Sequence, residues 1–147
     1  MKAARMEVRT PAEQEIAELM EALRKQLQEN PDAEQIVGVK TVNNNLYFAV
    51  NRDIRNGDYQ KEKELFNALR KNRDRQVAYF VTMWNDQTPD MCSHNFRKGL
   101  LQLDPENKNA MTVLRGAEKY YVKPLSSLLP PKKQRSERKK NNEQEKR

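Results

Sequence analysis

Cysteine and histidine are nearly missing from this 147-residue chain. Its one cysteine and one histidine lie two positions apart in "MCSHNFRKGL", residues 91–100. A single cysteine excludes an internal disulfide. The chain is equally short of soft ligands for a zinc centre, which needs about four Cys, His or carboxylate donors. Glycine is scarce too: Gly38, Gly57, Gly99 and Gly116 each stand alone. Neither a phosphate-cradling P-loop nor a dinucleotide fingerprint can be assembled from them. No run approaches the ~18–20 apolar residues of a membrane span. The opening "MKAARMEVRT" lacks the apolar core of a secretory signal. A reduced, cytoplasmic compartment is expected, nuclear if the chain is eukaryotic.

What the chain has is charge, unevenly placed. The formal net charge is +7. Residues 130–147 hold eight Lys/Arg against three Glu, and the remainder holds 20 basic and 18 acidic residues. The basicity is therefore a property of the tail. After Pro130 and Pro131 the tail has no apolar residue, so it cannot offset its conformational entropy by burial. Residues 1–9 are expected to be a flexible N-terminus, 10–125 one α+β domain, and 126–147 a proline-containing linker and basic disordered tail.

Within the domain, Thr10-Pro11-Ala12-Glu13 spells a capping box with proline at the first helical position. Ile16, Leu19, Met20, Leu23 and Leu27 follow at helical spacing, and Asn30-Pro31 ends the helix. Two β-prone runs, 36–42 and 46–51, flank Asn43-Asn44-Asn45 and predict a hairpin. A second helix, capped by Asp58, carries Tyr59, Leu65, Phe66 and Leu69 on its inner face. "QVAYFVTMW", 76–84, is apolar on both faces and predicts the central strand of a sheet covered twice. A third helix is expected over 89–103, with Thr88 as cap and Gly99 packed closely against a neighbour. Residues 105–121 fit a fourth helix, or an edge strand at 111–115. "LQLDPENKNA" resembles a tetratricopeptide helix–turn–helix junction, but no second copy follows at that period. The expectation is a small α+β domain of about three strands and about four helices.

On that third helix Cys92, Phe96, Leu100 and Leu103 form the buried stripe. His94 then points about 200° away from Cys92, at ~100° per residue. The two are read as a core cysteine and a solvated histidine, not as a nucleophile and its base. Asp86 and Asp90 beside Trp84 are read as turn and cap residues rather than metal ligands. No cofactor is expected.

The tail gives the strongest indication of a partner. Lys132, Lys133, Arg135, Arg138, Lys139 and Lys140 form a basic arm of the kind that contacts nucleic-acid phosphates without reading sequence. The leading expectation is a non-catalytic protein that binds DNA or RNA through this arm, while the domain contacts a protein partner. A protein–protein adaptor without nucleic acid is the alternative, and a small enzyme the third reading. Open edges on a three-strand sheet are compatible with a homodimer.

Overall fold

The computed structural model describes residues 10–117 and 119–128. The flexible N-terminus and the basic arm expected from the sequence lie outside the described residues. No helix among the described residues is long and apolar enough to cross a membrane.

Helix α1 spans Pro11–Glu29. Its capping box forms as written: Glu13 N donates to Thr10 Oγ1 at 3.1 Å, and Thr10 N donates to Glu13 Oε1 at 3.0 Å. β1 (Gln35–Thr41) and β2 (Leu46–Asn51) pair as the expected antiparallel hairpin. Asn44 takes the left-handed conformation (φ 68°) that the tight turn requires. A short 3-10 turn over Ile54–Asn56 leads into α2, Gln60–Lys71. β3, Val77–Trp84, follows.

β3 lies mid-sheet, in the order β2-β1-β3-β5-β6. It pairs antiparallel with β1 and parallel with β5 (Met111–Arg115). As its two-sided pattern predicts, β3 is covered on both faces. On one face, α1 packs Ile16, Leu19, Met20 and Leu23 against Ile36, Val81, Met83 and Val113. On the other, α2 and α3 (His94–Leu103) pack Leu65, Phe66, Leu69, Phe96 and Leu100 against Val37, Val39 and Phe80. Gly38 lets α1 approach β1: a Cβ there would come within 2.7 Å of Leu23 Cδ2. Gly99 does the same for the two outer helices, since its Cβ would meet the Phe66 ring at 2.5 Å.

Three expectations are corrected. The sheet has six strands and the domain three α-helices among the described residues, not about three and four. Residues 111–115 form a strand flanked on both sides, because β6 (Tyr120–Pro124) pairs with its outer edge. The spacing of Ala110, Val113 and Leu114 suits a helix, but Asn107 halts one. Its buried side chain accepts from Val77 N at 2.8 Å and donates to the carbonyls of Arg75 and Leu100. Finally, Pro89–Asp90 is a two-residue strand, β4, on β3, and α3 starts only at His94. Ser93, not Thr88, caps it, accepting from Phe96 N at 3.1 Å.

Asp74 joins the hairpin turn to the end of α2. It accepts hydrogen bonds from Thr41 Oγ1, Asn43 Nδ2, Asn45 Nδ2 and Tyr47 Oη at 2.9–3.1 Å. Burial by itself would raise its pKa, but these four donors together hold it below the ordinary 3.8. A depressed pKa stabilises the fold above the unfolded value and the contribution is lost as pH falls through the folded one. Asp74→Ala should cost about 2 kcal/mol at neutral pH, with the donors left short of a partner. In urea titrations the difference from wild type should shrink as pH falls below 3.8. A pH-independent difference would contradict the ionic role.

Candidate site at the start of helix α2

Four polar side chains distant in sequence converge beneath α2. Gln35 opens β1 and Asn51 closes β2, and the two are register partners in the hairpin. Glu62 occupies the first turn of α2, where Tyr59 is the N-cap. Cys92 lies in the segment between β4 and α3. Each is buried: Glu62 is 4% exposed, Cys92 5%, Asn51 1% and Gln35 8%.

Asn51 links the group. Its Nδ2 donates to Glu62 Oε2 at 3.0 Å and to Gln35 Oε1 at 3.4 Å. Its Oδ1 is buried and has no hydrogen-bond partner among the described residues. Such an acceptor is costly unless a donor reaches it. Burial pushes the Glu62 carboxyl above its ordinary 4.5, and the hydrogen bond from Asn51 only partly opposes this. A carboxyl shifted by burial toward its neutral form thus lies beside an acceptor short of a donor.

Cys92 belongs to the same pocket of charge. Burial pushes its thiol up to about 12; the Glu62 charge adds to the rise and Arg97 opposes it. Cys92 is therefore a buried thiol, as expected, although it stands ahead of a helix rather than on one. The angular argument separating it from His94 does not apply, since only His94 is helical. His94 is exposed, at the first position of α3.

Two openings adjoin the cluster, and Tyr59 forms part of the wall of both. One, of about 420 Å³, lies at the end of β3 and is lined by Glu34, Ile54, Arg55, Trp84 and Asn85. The other, of about 460 Å³, runs between α2 and α3 with Glu62 in its wall. Asp86 and Asp90, weighed above as carboxylates near a strand end, serve the turn. Asp86 accepts from Thr88 Oγ1 at 2.6 Å, which holds its carboxyl below the usual range. Asp90 accepts from Trp84 Nε1 at 2.8 Å.

No protein-family profile matches the chain, and none of the curated proteins does. Solved structures do match. Cytidine deaminase from Mycobacterium leprae superposes with a TM-score of 0.58 at 16% identity, over 78% of this chain and 97% of that one. Cytidine deaminase from Burkholderia pseudomallei gives 0.56 at 17% identity, over 78% and 95%. The fold is that of the cytidine deaminases.

This overturns the functional expectation. The fold shared with two cytidine deaminases over nearly their whole length is the finding that stands against it. It does not point to a non-catalytic binding protein or a protein-binding adaptor; the basic arm of Lys132, Lys133, Arg135, Arg138, Lys139 and Lys140 lies outside the described residues. Composition misled because the charge lies in the tail, whereas the polar convergence joins residues up to 57 positions apart, from Gln35 to Cys92. The sequence analysis did not single out Glu62. The available signal was its phase: Tyr59, Glu62, Leu65, Phe66 and Leu69 share one helical face, so Glu62 sits on an apolar stripe.

A raised folded-state pKa gives the opposite linkage to that of Asp74. The stability it contributes is complete below the unfolded Glu62 value and is lost as pH rises through the folded one. Glu62→Gln removes the charge while keeping the shape. Its stability relative to wild type should therefore rise as pH is taken up from 4.5, in paired thermal melts. A difference that stays flat with pH would show that Glu62 ionises normally. Cys92 should remain unlabelled by a neutral thiol reagent in the native protein and react at once in denaturant; rapid native labelling would contradict its burial.

Proposed function

We propose that the chain is an enzyme that performs acid–base chemistry on a small, flat, polar substrate of the nucleoside type, with Glu62 as the proton-transfer group. The observation that carries this reading is a carboxyl buried in the wall of an open groove, held by Asn51, with its pKa raised by that burial. Strongly perturbed carboxyls in clefts are characteristic of catalytic acids and bases. The choice of substrate class is supported by the two similar structures, both of cytidine deaminases.

Nucleobase deaminases of the zinc-dependent kind hold their metal on a His-x-Glu and a Pro-Cys-x-x-Cys pattern, in which the Glu is the general acid/base and not a ligand. Here the residues around Glu62 read Gln60-Lys61-Glu62, with glutamine in place of histidine. Counting on from Cys92, the second cysteine position falls on Asn95. Cys92 is the one soft ligand remaining, and its thiol is held protonated. No group of three or more His, Cys, Asp or Glu among the described residues is arranged to hold a metal ion. The residues do not fit a zinc centre, and no step is routed through one.

The chain's own residues supply a simpler sequence. Asn51 fixes the Glu62 carboxyl through its 3.0 Å hydrogen bond, and Gln35 in turn orients Asn51. The protonated carboxyl donates to a ring nitrogen or carbonyl oxygen of the substrate. The carboxylate left behind takes a proton from the water that adds to the activated carbon and passes it to the amino group; the C–N bond then breaks, ammonia leaves, and the carboxylate recovers a proton from the new hydroxyl as it becomes a carbonyl. Tyr59 and Trp84 offer flat faces at the adjoining cleft.

Cytidine is the first substrate to test, by ammonia release in the presence of a chelator. Wild type should turn it over, and Glu62→Gln should be slower by about 10²–10⁴-fold, the usual weight of a positioned acid or base. The rate should fall as pH rises through the raised Glu62 pKa. No ammonia release, or an equal rate in Glu62→Gln, would refute the reading.

A further inference from the structure

The groove between α2 and α3 has a feature that acid–base chemistry at Glu62 does not use. Three cationic side chains border it: Lys63 and Arg70 from α2, and Lys98 from α3. Several other basic residues of the domain are paired: Lys61 with Glu64, Arg52 with Asp32 and Arg55 with Glu34. Lys63, Arg70 and Lys98 make no ion pair among the described residues. Arg70 Nη1 donates only to the side-chain oxygen of Asn67, at 3.3 Å. The amides of Asn67, Asn95 and Gln102 complete the rim.

The sole carboxyl in that wall is Glu62, and it is almost wholly buried. The three cations thus face open solvent across a groove with no exposed counter-charge. Like charges gathered round a concavity repel one another, and an anion seated among them removes that cost. A phosphate presents oxygens enough for two lysines and an arginine fork together, through charge-assisted hydrogen bonds. The volume of about 460 Å³ exceeds what a bare ion fills and lies in the range of small-molecule sites.

We propose that the α2–α3 groove binds the phosphate group of a small phosphate ester, through Lys63, Arg70 and Lys98. The body of the ester then lies along the wall that holds Glu62. A role for this ligand as substrate rests on the acid–base function proposed above; binding of the anion does not.

The test is calorimetric titration of the full chain at fixed ionic strength with two probes, inorganic phosphate and ribose 5-phosphate. Both should saturate one site, the ester more tightly. Lys98→Glu and Lys63→Glu are exposed substitutions that should leave the melting temperature near wild type. Each should weaken both probes by at least about tenfold, the weight of one charge-assisted hydrogen bond. Glu62→Gln should retain both affinities. Absence of saturable binding, tighter binding of inorganic phosphate than of the ester, or unchanged affinity in both lysine variants would overturn the proposal. Because these readouts need no turnover, saturable binding with no ammonia release from cytidine would support the anion site while removing the catalytic role of Glu62.

Discussion

The two-sided burial of β3 is the constraint on which the remaining architecture depends. A strand that carries Val77, Phe80, Val81 and Met83 inward cannot stand at an edge or face water on either side. It needs partners on both flanks and a helical layer on both faces. β1 and β5 supply the first, and α1 opposite α2 and α3 supplies the second. Close approach of those layers explains the two glycines that meet side chains, Gly38 under Leu23 and Gly99 against Phe66. Once α2 is pressed onto the sheet in this way, its first turn is brought down beside the ends of β1 and β2. Glu62 is buried there as a consequence of packing, and Asn51 is the hydrogen-bond donor that meets it.

The same packing sets the chemistry. A carboxylate in the first turn of a helix is ordinarily favoured by the dipole. At Glu62 the loss of water outweighs that effect and raises the pKa. Asp74, just past the other end of the same helix, shows the contrast. It too is buried, but four donors converge on it and keep it charged. The helix and the turn that follows it thus carry two buried carboxyls of opposite character, one serving the fold and one facing a groove. The difference lies in the number of donors, one for Glu62 against four for Asp74.

Much of this fold was legible in the sequence where the signal is local. The capping box at Thr10, the asparagine turn at Asn44 and the double-faced strand at 77–84 are each written within a few residues. The short strand at Pro89–Asp90 and the pairing of β5 with β6 were not, because strand identity there depends on neighbours supplied by other parts of the chain. The site was hidden for the same reason. Gln35, Asn51, Glu62 and Cys92 form no motif, and only the tertiary arrangement brings them together. The rare pair Cys92 and His94 drew attention by composition, while the buried carboxyl at the candidate site was one glutamate among the 21 acidic residues of the chain. A charged residue in phase with an apolar helical face was the one clue available.

The raised pKa of the buried Glu62 carboxyl is the feature on which the functional proposal depends. It is tested most directly by following the carboxyl carbon of Glu62 by NMR through a pH titration of the native protein, assigned by comparison with Glu62→Gln. A titration midpoint clearly above 4.5 is the result predicted here. A midpoint at or below 4.5 would mean that Asn51 and solvent stabilise the carboxylate after all, and would contradict the account.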